Sequence, residues 1–95
     1  MVGGGEVACR KVALLVETGA FVTVVSPDIS GEIEALVGKG KVKHIKENFR
    51  EKHLEGFSLV VGATDDPQVN RAVSRGARNS GIWVNIVDSP GESDF

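Results

Sequence analysis

The chain has 95 residues, 41% of them apolar and 25% charged, which is enough for one small globular domain with a modest core. A net charge of −2 argues against a general nucleic-acid or membrane-surface binder, and no apolar run approaches the ~20 residues of a membrane span. Cys9 is the only cysteine, so an internal disulfide and a cysteine metal cluster are both ruled out; this suits a reducing cytoplasm.

The N-terminal stretch Val2-Gly3-Gly4-Gly5-Glu6-Val7-Ala8 comes first, immediately before a helical pattern. Its spacing, Gly3-x-Gly5-x-x-Ala8, is the dinucleotide-binding fingerprint with alanine in the third place. Glycines let the backbone turn sharply and admit an anion close to the main chain. The following helix points its first amides and its positive dipole end at that anion. Only Met1 and Val2 precede the turn, so the first strand reads as truncated. The chain stops at Asp94-Phe95 without a closing helix. Both ends are expected to be cuts, making residues 1–95 one domain of a longer protein.

Residues 6–18 read as a helix with Val7, Ala8, Val12, Leu14 and Leu15 inward, and Gly19 placed as a left-handed cap. Arg10 and Lys11 belong to a solvated face or contact phosphate. Residues 21–25 form a β-branched run suited to a strand buried on both faces. Ser26-Pro27-Asp28 ends it. In the generic fingerprint a carboxylate about 20 residues past the glycines holds the ribose hydroxyls. Asp28 is the nearest, and it also reads as a turn or cap aspartate. With no arginine beside it, NAD is favoured over NADP.

A short helix is expected over 29–37, with Ile33, Leu36 and Val37 inward and Gly38 and Gly40 at its end. Lys41 to Lys46 alternates like a half-exposed strand near a sheet edge. Without interleaved aromatics its lysines are a solvated face rather than a nucleic-acid patch. Residues 48–56 make a polar connection anchored by Phe49, Leu54 and Phe57. His44 and His53 lack companion ligands and read as surface histidines, so no metal site is expected. A buried strand over 58–63 leads to Thr64-Asp65-Asp66-Pro67, where Asp66 fits an N-cap with proline at the first helical position. Helix 67–80 places Val69, Ala72, Val73, Gly76 and Ala77 on one stripe and Arg71, Arg75 and Arg78 on another. A last strand over 82–87 closes at Asp88-Ser89-Pro90.

The order β-α-β-α-β-β-α-β implies right-handed crossovers and an α/β, Rossmann-like, three-layer fold with a mainly parallel sheet. Ligands in such sheets bind beyond the strands' carboxyl ends. That rule collects Gly3 to Val7, Ser26 to Asp28, Ala63 to Asp66 and Asn85 to Ser89 on one edge.

Four stretches together resemble the N-terminal NAD-binding domain of the siroheme synthase family, the precorrin-2 dehydrogenases and sirohydrochlorin ferrochelatases. They are Val2 to Ala8 with Arg10-Lys11, Val22 to Pro27, Ala63 to Pro67 with Val69-Asn70, and Val84 to Asp88 with Asp94-Phe95. The resemblance implies NAD-dependent oxidation of precorrin-2 to sirohydrochlorin and, in many members, insertion of ferrous iron at the same site. It implies cofactor contacts for Glu6, Val7, Pro27 and Asp28, which join Gly3 and Gly5 of the fingerprint and Ser26 and Thr64 at the strand ends as candidate cofactor-binding residues. Asp88 matches the aspartate assigned to dehydrogenation and chelation; spacing alone does not exclude an Asp-Ser-Pro turn aspartate, and the resemblance favours catalysis. Asn85 orients substrate or satisfies backbone groups. The family's later parts supply dimerisation and much of the tetrapyrrole cleft, so a homodimeric, cytoplasmic parent is expected, and this piece alone is expected to lack full activity. Two other readings stand beside the enzyme. One is an NAD-sensing module of the kind attached to ion transporters, against which Ser26 at the second strand's end counts. The other is a structural remnant that binds nothing.

Overall fold

A computed structural model describes residues 1–87, 91, 93 and 94. Four short parallel strands carry the fold: β1 (Val22–Val25), β2 (Val42–Ile45), β3 (Leu59–Gly62) and β4 (Trp83–Ile86). β1 pairs with β2 and β3 with β4. The two pairs are joined by one residue. Val2 bridges in parallel to Val25 on one side and to Gly62 on the other. Its N–H donates to the Val61 carbonyl at 2.8 Å, and its carbonyl accepts from the Ala63 N–H at 2.8 Å. The flanking bonds, Val25 N–H to Met1 O at 2.8 Å and Gly3 N–H to Val25 O at 3.0 Å, complete the rung. The spatial order is therefore β2-β1-Val2-β3-β4. The strand that reads as truncated is present as a single central rung.

Helices cover both faces. α1 (Glu6–Glu17) and α2 (Gly31–Gly38) lie on one side, where Val12 and Ile33 pack with Val22, Val24 and Val42. α3 (Pro67–Asn79) and a 3-10 helix (Glu51–Leu54) lie on the other, where Val73, Ala77 and Leu54 pack with Val2, Val60, Val84 and Ile86. Val12, Val24, Ile33, Val73 and Val84 are fully buried, each worth about 1.5–3 kcal/mol of apolar transfer.

Local chemistry sets the element ends. Gly19, Gly40 and Gly81 follow the three helices with φ of 85°, 73° and 69°, the left-handed stop that a side chain disfavours. Asp66 caps α3, its Oδ1 accepting from the Gln68 N–H at 2.9 Å ahead of Pro67. Ser30 caps α2 by accepting from the Ile33 N–H, so that helix starts two residues later than the apolar pattern indicates.

Several expectations need correction. Val7 is 37% and Leu14 61% exposed; the inward side of α1 is instead Ala8, Val12, Leu15 and Val16, spaced four, seven and eight residues from Ala8. Phe21 falls outside β1 and is 75% exposed. His53 is not a surface histidine: its side chain is 5% exposed. The outer edge of β4 is covered by residues that the sequence pattern left unassigned. Val84 N–H donates to an Asp94 carboxylate oxygen at 3.0 Å, Ile86 N–H donates to Ser93 Oγ at 2.8 Å, and the Asp94 N–H donates to Val84 O at 2.6 Å. These bonds occupy an edge that would otherwise be open to pairing.

Candidate functional site: a cleft at the carboxyl edge of the sheet

A cleft of about 940 Å³ opens where the strands end, within the range of small-molecule and cofactor sites. It is lined by the glycine turn and the start of α1, by residues 25–30, by Asn48 and Phe49, by residues 63–66, and by Val69 and Val87. Eight residues singled out from the sequence meet there: Gly3, Gly5, Glu6, Val7, Ser26, Pro27, Asp28 and Thr64. Asn85 does not line the cleft. It sits half-buried on β4 in register with Val61. Asp88 lies outside the described residues.

The three glycines do different things. Gly3 has φ +119°, and a Cβ there would meet the Ala63 carbonyl oxygen at 2.6 Å. A side chain is excluded both by the backbone angle and by the neighbouring peptide. Gly4 has no such angle, but a Cβ would run into the Asp28 carbonyl oxygen and stand 2.9 Å from Ser26 Oγ. Its carbonyl also accepts from the Ser30 N–H at 2.9 Å, fastening the loop after β1 onto the turn. Gly5 is the N-cap of α1, without a side-chain cap, and a Cβ there would meet nothing within 4 Å. The first intrahelical bond of α1 runs from Cys9 N–H to Gly5 O at 2.9 Å, so the amides of Glu6, Val7 and Ala8 precede any intrahelical acceptor. An uncapped helix start beside open space is what an anion needs. Ala8, the third fingerprint position, is fully buried and lets the helix pack closely on the sheet.

The wall made by residues 26–28 is internally tied. Ser26 Oγ donates to the Asp28 carbonyl at 2.6 Å, and His44 Nε2 lies 2.8 Å from the Ser26 carbonyl oxygen. Ser26 thus shapes the turn, while Asp28 is exposed on the cleft side. Among the described residues, the lining contains four carboxylates, Glu6, Asp28, Asp65 and Asp66, and no lysine or arginine. Arg10 approaches Glu6 at 3.7 Å, with both side chains well exposed, so this ion pair contributes little. The groups at the start of α1 that suit an anion are backbone amides and the helix dipole.

From the sequence, Asn48 and Phe49 read only as part of a polar connection, with Phe49 as an anchor, and not as part of a site. Phe49 is placed by the loop around Glu47, whose Oε1 accepts from Arg50 Nη2 at 2.9 Å and lies 3.3 Å from His53 Nε2. The Arg50 guanidinium holds the Glu47 carboxyl below its ordinary value. His53 Nδ1 accepts from the Arg50 N–H at 2.9 Å, and its ring lies against Phe49 with centroids 6.2 Å apart. Short polar contacts of this kind leave no periodic signal in a sequence. Among the described residues no group of three His, Cys, Asp or Glu side chains could hold a metal ion, and no helix is long and apolar enough to cross a membrane.

Comparison with known proteins bears on the family and the fold. A family model for NAD(P)-binding domains matches residues 1–95. The chain is 49% identical over 90 residues to a siroheme synthase of Methylobacillus flagellatus, covering 95% of this chain and 19% of that protein. It is 50% identical over 91 residues to the siroheme synthase of Nitrosomonas europaea, with 95% and 19% covered. It is 46% identical over 95 residues to siroheme synthase 1 of Aeromonas salmonicida, with 100% and 20% covered. The chain thus spans about a fifth of the length of these curated relatives. Among solved structures, SirC, a precorrin-2 dehydrogenase, superposes with a TM-score of 0.82 at 34% identity, covering 90% of this chain and 43% of that one. The resemblance drawn from the four motif stretches therefore holds along the whole chain, and the chain belongs to the NAD(P)-binding family.

Proposed function

We propose that this chain is the dinucleotide-binding part of an enzyme that oxidises precorrin-2 to sirohydrochlorin with NAD. The observation that carries the reading is the uncapped start of α1, open at Gly5, on a cleft at the carboxyl edge of a sheet that superposes on SirC. The siroheme synthase relatives favour an enzyme over a transporter-linked sensor.

Bound NAD would supply the hydride acceptor. The residues suited to holding it are Gly5, Glu6 and Val7 at the diphosphate, through main-chain amides, with Gly3, whose own N–H is taken by Val25 O, making the turn beneath it, and Ser26, Pro27 and Asp28 at the ribose. The four carboxylates of the lining disfavour the extra phosphate of NADP. Oxidation of the tetrapyrrole removes a proton along with each hydride. We assign the acceptance of that proton to the carboxylate of Asp88, the residue that follows Val87 of the cleft lining. In a full-length parent, pictured as a cytoplasmic homodimer, the same carboxylate would take pyrrole protons as ferrous iron, a substrate, enters. Asn85 would orient the tetrapyrrole.

The test is turnover of precorrin-2 by the full-length parent carrying Asp88→Asn. A fall in kcat of about a hundredfold or more is expected, with NAD affinity unchanged. Turnover within a factor of two of wild type would remove Asp88 from the mechanism.

A further inference from the structure

We propose that Asn70 is the positioning residue that holds the Ala63–Thr64 wall of the cleft in its cofactor-binding shape, an inference that rests on the NAD-binding reading above. Asn70 is on α3 and is not part of the cleft lining, whereas Ala63 and Thr64 are. Its carboxamide grips Thr64 three times. Oδ1 accepts from the Thr64 N–H at 3.3 Å and from Thr64 Oγ1 at 2.7 Å, while Nδ2 donates to the Thr64 carbonyl at 3.0 Å. The pattern fixes which end of the carboxamide is which. Reversed, its NH₂ would face the Thr64 amide and its oxygen would face a carbonyl.

Two consequences follow for the cleft. First, Thr64 has its polar groups engaged inside the protein. Its amide and carbonyl are taken by Asn70, and Oγ1 is shared among Asn70, the Asp66 carbonyl at 3.0 Å and the Asp66 N–H at 3.2 Å. Thr64 therefore shapes the wall rather than reaching out to a ligand. Second, the clamped segment is the one that Gly3 leans on. A Cβ at Gly3 would stand 2.6 Å from Ala63 O and 3.2 Å from Thr64 N. The glycine turn takes its depth from that peptide, and Asn70 sets where the peptide lies. The carboxamide itself is on a firm support, since Val73 and Ala77 root α3 in the core with no exposed surface. The backbone N–H of Asn70 donates to Asp66 O at 3.1 Å, tying the same loop to the start of the helix.

The experiment is calorimetric titration of the 95-residue chain with NAD, together with thermal unfolding, for wild type, Asn70→Ala and Ile33→Val. Ile33, on α2, is fully buried against the sheet and does not line the cleft, so its trimming lowers the midpoint without touching the wall. Asn70→Ala is expected to raise the NAD dissociation constant about tenfold at a temperature where it is fully folded. Ile33→Val is expected to leave that constant within a factor of two. Should Asn70→Ala fail to fold, Asn70→Asp decides: it keeps the two bonds accepted by Oδ1, loses the one donated by Nδ2, and is expected to bind several-fold more weakly. A folded Asn70 variant with wild-type affinity overturns the positioning role alone. A wild-type chain that does not bind NAD overturns the cofactor reading and the positioning role with it.

Discussion

Three adjacent glycines, identical in sequence, are held by three different constraints. Gly3 needs a backbone angle of +119°, Gly4 lies under the Asp28 carbonyl, and Gly5 meets nothing. Alanine should therefore separate them. Gly4→Ala pushes a methyl into the loop after β1 and is expected to cost about 1–3 kcal/mol of stability. Gly5→Ala is expected to cost less than about 1 kcal/mol, as an N-cap change, while its methyl group takes up space in the cleft and weakens NAD binding about tenfold. Chemical denaturation and NAD titration of the two variants check this; equal stability for both, or unchanged affinity in Gly5→Ala, contradicts it. The fingerprint in the sequence points to Gly3 and Gly5 because it encodes a turn and a helix start. It is silent on Gly4, whose partner comes from 24 residues further along the chain, a separation that no local pattern reports. The same blindness hides Asn70 and the Glu47–His53 contact, which depend on side chains meeting across loops.

At the scale of elements, the central rung is the unusual part. One residue, Val2, joins two strand pairs, and the amino group of Met1 donates to Thr23 O at 2.9 Å beside it. Burial lowers that amine from its ordinary 8.0 to about 6. The cationic form is thus disfavoured in the folded state, and the unfolded chain binds more protons between those two values. For the 95-residue chain with a free amino group at Met1, stability should rise as pH increases from about 6 to 8, then level off, with an amplitude of at most roughly 2–3 kcal/mol. Denaturant midpoints measured across that window check it, with N-terminal acetylation, which removes the titrating amine, expected to flatten the profile; a flat profile in the unmodified chain contradicts it. The strands and helices themselves were legible, because β-branched runs, an Asp66-Pro67 start and glycine stops are local signals. What was misjudged was facing. Val7 and Leu14 are apolar yet lie off the buried stripe of α1, and composition alone does not set a helix's rotation about its axis.

Across the whole molecule, alternating strands and helices bring every strand's carboxyl end to one side, and the turn and loop residues there form a cleft. That edge was readable in advance because crossover handedness allows only one such arrangement. The acidic lining was not, since Glu6, Asp28, Asp65 and Asp66 come from the start of α1 and from two loops whose convergence is a property of the fold. The claim on which the functional reading rests is that a dinucleotide lies over this edge with its diphosphate at the first turn of α1. The direct test is a titration of the isotopically labelled chain with NAD, following backbone amide resonances. The account predicts saturable shifts centred on Gly5, Glu6 and Val7, extending to residues 26–28 and 63–66. Shifts confined to the exposed face of α3, or none at millimolar NAD, would contradict it.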